Sequence, residues 1–225
     1  MIRRRCGLHP IDMPDSRSFD MTTLPLSDTY KLLASTVTPR PIAWITTLDA
    51  EGRANAAPFS FFNVISSDPP LFCVGFSAAP DREGKDTLAN IRASGELVIN
   101  LVSEELADAM NITATDAPRG LDELVIAGLE IAPSEVVLPP RIAASPVSIE
   151  CRTFQWIETG GSSTVLIARG ERLHIRRDVF ANEERLYIDN AKLDLIGRMG
   201  GAGDYMRTRD TFTIHRIAWK DFPQK

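Results

Sequence analysis

Three stretches of this chain carry side chains that could bind or position a ligand. In Arg82-Glu83-Gly84-Lys85-Asp86-Thr87-Leu88-Ala89-Asn90 a lysine and a threonine arrive where a helix should begin. Free backbone amides and the positive end of a helix dipole favour a phosphate there, with Lys85 and Thr87 adding a charge and a hydroxyl. In Asn55-Ala56-Ala57-Pro58-Phe59-Ser60-Phe61-Phe62-Asn63, small residues allow close approach to the backbone. Ser60 and Asn63 offer hydrogen bonds, while Phe59, Phe61 and Phe62 offer apolar walls, the mixture a flat heteroaromatic ring needs. In Thr38-Pro39-Arg40-Pro41, two prolines stiffen the mount of a single guanidinium, which suits an anionic or planar ligand. Each stretch also has a plainer reading: a capped helix with a solvated Lys85 and Asn90, phenylalanines packed in a core, a turn with a solvated arginine.

The elements that must position these residues read mostly as strands. Ile42 to Leu48 is apolar and β-branched and ends in the turn Asp49-Ala50-Glu51-Gly52. Ala54 to Ser66 reads as extended, with Pro58 confining it to an edge or a bulge. Leu71 to Ser77 and Glu96 to Val102 are further strands. Val147 to Glu158 and Thr164 to Arg176 form a long hairpin around Thr159-Gly160-Gly161-Ser162-Ser163, with Gly170 marking a bulge. A last apolar strand is expected over Thr211 to Ile217. Helices are few and short: Asp86 to Ala93 with Asp86 as N-cap, Glu104 to Asn111 opened by Ser103, and Asp122 to Ala127. Many strands without a βαβ rhythm predict a closed or nearly closed barrel with helical excursions.

Composition narrows the function classes. At 225 residues, 44% hydrophobic and 24% charged, the chain can bury a sizeable core. A net charge of -5 argues against nucleic-acid binding, and no apolar run approaches the roughly 20 residues of a membrane helix. Cys6, Cys73 and Cys151 are scattered, which suits a reducing cytoplasm. His9, His174 and His215 have no partners at metal-ligand spacing, so no metal site is expected. Residues 1–20, with Arg3-Arg4-Arg5, read as a disordered arm ahead of a domain spanning 21–225, and Met21 is an alternative start.

Taken together, these stretches resemble the flavin reductase-like, FMN-binding split-barrel family. Thr38-Pro39-Arg40-Pro41, Asn55 through Asn63, Asp68-Pro69-Pro70, Lys85-Asp86-Thr87 with Asn90, and Arg198-Met199-Gly200-Gly201 with Tyr205 carry the resemblance, in order, from Tyr30 to about Phe212. It implies a mainly β, six-stranded Greek-key split barrel, a homodimer, and non-covalent FMN near the dimer interface. By the same resemblance Pro58 to Asn63 would line the flavin, and Lys85 and Thr87, with Asp86 and Asn90 beside them, would hold its phosphate. Arg40, Arg198 and Tyr205 would approach the ring or the nicotinamide, and His174 is a further candidate near the flavin. Met199 stands where many relatives carry leucine, a volume-conserving exchange.

The activity so implied is an NAD(P)H-dependent flavin reductase, with NADH or NADPH as donor and a partner monooxygenase or another acceptor downstream. Such chemistry needs orientation of two rings more than a strong acid or base, and the sequence announces no acid–base set. An FMN-binding electron carrier without its own pyridine-nucleotide reaction is the alternative, and a non-flavin barrel with core phenylalanines is a third. The sequence contains no G-x-G-x-x-G after a strand, so a nicotinamide would bind over the exposed flavin face rather than in a Rossmann domain.

Overall fold

The structure, a computed structural model, describes residues 15–77, 86–115, 122–201, 203–219 and 222. The expectations for Cys6, His9, Lys85 and most of the 1–20 arm fall outside those residues.

In chain order, helix α1 (Leu26–Thr36) leads through Arg40 into β1 (Ala43–Leu48), β2 (Ala54–Phe59), β3 (Phe62–Ser67) and β4 (Pro70–Ser77). Helix α2 (Asp86–Ser94) and β5 (Glu96–Asn100) follow, then a 3₁₀ turn at Glu104–Leu106 that runs into α3 (Ala107–Ile112). Short α4 (Glu123–Ile126) is capped by the Asp122 carboxylate, which accepts from the amides of Leu124 and Val125. Strands β6 (Ile131–Ala132) and β7 (Arg141–Ile142) pair with each other before the long hairpin of β8 (Val147–Glu158) and β9 (Ser163–Ile175). Strands β10 (Phe180–Asn182) and β11 (Tyr187–Ile188), helix α5 (Asn190–Leu193), and the pair β12 (Ile196–Arg198) and β13 (Tyr205–Arg207) complete the regular structure.

One seven-stranded antiparallel sheet, in the order β2-β1-β5-β8-β9-β4-β3, makes the barrel. The count exceeds the expected six because Ala54 to Ser66 is two strands. The chain kinks at Ser60-Phe61, and its halves lie at opposite edges of the sheet. The Gly75 amide donates to the Phe61 carbonyl at 2.7 Å, which carries the β3–β4 ladder up to the kink. Pro58 sits on edge strand β2, where its missing N–H costs no ladder bond. Gly170 marks the expected bulge: Glu150 faces Arg172 and Cys151 faces Gly170, leaving Glu171 extra. A Cβ at Gly170 would meet the Phe72 ring at 3.1 Å.

Strand β1 is buried on both faces, which explains its continuous apolar run. Ala43 and Ile45 enter the barrel interior with Phe59, Val74, Phe76, Leu97, Ile99 and Leu166. Ile42 and Trp44 face outward under Met110, Leu124 and Ile196. Asn100 ties strands to loops: its amide donates to the Trp44 carbonyl at 3.0 Å, and its oxygen accepts from Ser148 and the Ile142 amide.

Two expectations are corrected. Thr211 to Ile217 is not a strand: no strand among the described residues pairs with it, and its large apolar side chains are exposed. Ser103 precedes the 3₁₀ turn in extended conformation, but its hydroxyl makes no cap hydrogen bond.

Candidate flavin site

Strand β2 links the two ends of the candidate site. At its start, Asn55 is buried and its amide donates to both carboxylate oxygens of Glu123 at 3.1 Å. The Asn55 oxygen accepts from the hydroxyls of Thr87 at 2.7 Å and Thr47 at 3.3 Å. Asn90 completes the network by donating to Thr47 at 3.0 Å. This lattice fixes the start of α2 against β1 and β2. Burial pushes the Glu123 carboxyl above the usual glutamate range, and the hydrogen bonds from Ala56 and Asn55 only partly offset it.

The network engages both Thr87 and Asn90. Thr87 is 1% exposed, and its hydroxyl proton already goes to Asn55. The first amides of any α-helix lack an intrahelical partner, so a phosphate at the start of α2 would be met by backbone rather than by the Thr87 hydroxyl. Asp86 opens the helix, and Asn90 turns toward β1 rather than to water.

At the far end of β2, roughly 13 Å along the strand from Asn55, lies a 220 Å³ hollow. Pro58, Phe59, Ser60, Arg198 and Tyr205 all line it, so it unites five of the expected residues. Arg198 reaches it through backbone pairing: the amides of Arg40 and Arg198 each donate to the other's carbonyl, at 2.9 and 2.8 Å. The Arg198 guanidinium lies 4.7 Å from the centre of the Tyr205 ring and donates to the Asp204 carbonyl at 3.4 Å. The loop between them packs tightly on α1, since a Cβ at Gly200 would stand 2.9 Å from the Cα of Ser35. Gly201 adopts φ +71°, which glycine takes without strain.

Arg40 differs from expectation. It is buried, and its guanidinium donates to the carbonyls of Ala34, Val37 and Met199 and to the Ser60 hydroxyl. Those bonds occupy most of the fork, so Arg40 clamps α1, Ser60 and the glycine loop together instead of offering a free charge. Ser60 accepts from Arg40 at 3.3 Å and keeps its own proton to donate.

The phenylalanines divide at the kink. Phe59 packs edge-on against Phe76 at 4.7 Å while lining the hollow, and Phe62 joins the core. Phe61 turns outward beside Tyr30, at 6.0 Å. Asn63 accepts from the Val64 amide and lines a second, apolar hollow of 380 Å³ next to Arg40.

His174 stands apart from this group. It lies in a third hollow, of 530 Å³, with Arg141, Arg176 and Arg177. Its Nε2 is 2.6 Å from the fully buried Glu150 carboxylate. That carboxylate also accepts from the amides of Glu135, Val136 and Val137. Burial pushes the Glu150 pKa up, but these donors together outweigh it and hold the group below the usual glutamate value. His174 therefore belongs to a structural carboxylate cradle.

Sequence reasoning missed Met110, Asn111 and Ala114, which line the hollow from the end of α3 and the turn after it. Their spacing of one, three and four residues is a helix-face signal that could have found them. Glu123 carried no local signal, since it meets Asn55 from 68 residues away.

The chain fits a flavin on these observations: a hollow walled by Pro58 and Phe59 and edged by a guanidinium and hydroxyls, joined by one strand to the start of α2. Known proteins agree. Residues 34–195 match the flavin reductase like domain, and the chain belongs to that family. A protein of Deinococcus radiodurans named only as uncharacterized is 42% identical over 213 residues, covering 92% of each chain. Among solved structures, the 2-nitrobenzoate 2-nitroreductase NbaA of Pseudomonas fluorescens aligns with a TM-score of 0.82 at 30% identity, covering 90% of this chain and 98% of the other. Component B of the nitrilotriacetate monooxygenase of Bacillus cereus aligns with a TM-score of 0.83 at 29% identity, covering 90% and 100%. The fold is the split barrel of the flavin reductases, and family membership implies flavin binding.

Proposed function

We propose that this protein is a flavin reductase that holds FMN non-covalently and uses NADH or NADPH as hydride donor. The observation that carries the reading is the hollow at the end of β2, where Pro58, Phe59 and Ser60 meet Arg198 and Tyr205. When bound, FMN supplies a ring that accepts hydride from a nicotinamide.

The chain's own residues would bind and orient. Pro58 and Phe59 form the apolar wall, the Ser60 hydroxyl donates to a polar ring edge, and the Arg198 guanidinium favours negative charge there. The amides at Asp86 and Thr87, with Lys85, would hold the phosphate. Among the described residues lining the hollow there is no histidine or carboxylate. Positioning, not proton transfer, is therefore what this lining contributes.

The likeness to a monooxygenase component supports a partner monooxygenase as recipient of the reduced flavin. A homodimer in the cytoplasm completes the reading, with residues 21–225 as the flavin-binding domain.

The test is an absorbance spectrum of the purified protein reconstituted with FMN, followed by anaerobic NADH and then NADPH. Flavin bands that bleach with one donor are the expected result and name that donor. Bands that persist with both donors and bleach only with dithionite define an electron carrier instead. Failure to retain FMN or FAD at all would remove the flavin assignment.

A further inference from the structure

Arginines converge on one part of the sheet well away from the flavin hollow. Pro58, Trp44, Asn100, Ser148 and His174 stand in one row across β2, β1, β5, β8 and β9. Four strand spacings of about 4.8 Å put His174 roughly 19 Å along the sheet from Pro58. There the 530 Å³ hollow receives Arg141 from β7 and Arg176 and Arg177 from the turn after β9. Among the described residues, Glu135 is the one carboxylate in its lining, and Arg172 pairs with it at 3.3 Å. The whole chain carries 25 basic and 30 acidic side chains, so this lining runs against the average charge.

The guanidiniums are anchored but not used up. Arg141 donates through Nε and one Nη to the Pro133 carbonyl, at 3.2 and 3.0 Å, which leaves its other Nη open. Arg176 spends only its Nε, on the Asp178 carboxylate at 2.7 Å, and both of its Nη atoms lack a partner among the described residues. Arg177 comes no nearer to a carboxylate than 3.7 Å, at Glu183, and its side chain is 89% exposed. The floor is fixed and turns its protons inward. Ser148 donates to Asn100 at 2.8 Å, and Ser145 donates to the Leu101 and Val147 carbonyls. His174 is held at 2.6 Å by Glu150, whose charge three backbone amides already meet. Three guanidiniums with open N–H groups around one concavity repel one another until an anion enters, and their forks match oxyanion geometry.

We propose that this hollow is a second ligand site, which takes a small molecule carrying two or more phosphate or carboxylate groups. A lone oxyanion would occupy one fork, whereas arginines arriving from two segments span a ligand with several. Phosphates and carboxylates both accept such a fork in bidentate fashion, so the lining reads the chemistry they share. The site is separate from the flavin hollow, and its test does not depend on the flavin reading.

Calorimetric titration of the full chain at about 0.15 M salt, with pyrophosphate and separately with citrate, should give saturable binding of one or both. The dissociation constant should be about 1 mM or tighter. Arg141→Gln combined with Arg176→Gln should weaken that binding about tenfold or more, through the loss of charge-assisted hydrogen bonds. Arg177→Gln changes only an exposed side chain and should weaken binding in the same direction, which keeps the test decisive should the pair fail to fold. Arg185→Gln, whose guanidinium lies over the Tyr187 ring outside the hollow, should change nothing. Binding of pyrophosphate alone would assign a phosphate-bearing ligand, and binding of citrate alone a polycarboxylate. No saturable binding of either, an affinity unchanged in the arginine variants, or an equal loss in Arg185→Gln would each overturn the proposal.

Discussion

At the residue scale, a guanidinium does different work according to how many acceptors surround it. Arg198 keeps its fork near the hollow, whereas Arg40 is turned inward onto three carbonyls and one hydroxyl. A lysine at position 40 would keep the charge but could not span those acceptors with one compact head. Arg40→Lys should therefore destabilise nearly as much as Arg40→Ala, by about 2–4 kcal/mol, since hydrogen bonds to charged groups contribute about 1.5–3 kcal/mol each. Urea unfolding of the two variants checks this. A lysine variant as stable as the parent would mean that charge, not the fork, is what the site needs.

At the element scale, the glycine-rich loop between β12 and β13 reaches the site only because it lies flat on α1. Gly200→Ala places a methyl against the backbone of Ser35, where no flexible side-chain end is available to yield. The expected outcome is a loss of about 1–3 kcal/mol in stability, as for other overpacked contacts, together with weaker flavin binding as Arg198 and Tyr205 shift. Gly203→Ala meets nothing within 4 Å and serves as the control. Thermal melts and flavin titration by fluorescence quenching separate the two. Equal behaviour of both variants would refute the close-packing argument.

At the scale of the whole molecule, two buried glutamates pull acid stability in opposite directions. Glu150 has a lowered pKa in the fold, so its stabilisation is fully present above the unfolded value of 4.5 and is lost as pH falls through the lower folded value. Glu123 has a raised pKa, so its contribution runs the other way: stability declines as pH rises from 4.5 through its folded value. Glu150→Gln should flatten the loss of stability below pH 4.5, and Glu123→Gln should flatten the decline above it. Unfolding free energies from denaturant titrations between about pH 3 and 7 measure both slopes. Unchanged slopes would show that other carboxylates govern the acid response.

The sequence by itself determined most of the barrel strands and the bulge at Gly170, because strand periodicity and turn residues are local properties. Motif order named Pro58 to Ser60, Arg198 and Tyr205, which line one hollow. Only the tertiary structure decided which of these residues share a hollow. The kink at Ser60-Phe61 sends Phe61 outward and Phe62 inward, and no pattern within Ala54 to Ser66 marks that break. Arg40 and Thr87 have the chemistry of ligand groups, yet acceptors from distant segments take up their donors first. His174 looked the same in sequence, and Glu150 across the hairpin draws it into a different cradle. Hydrogen-bonding capacity is written in a residue's type, but long-range packing decides where that capacity is used.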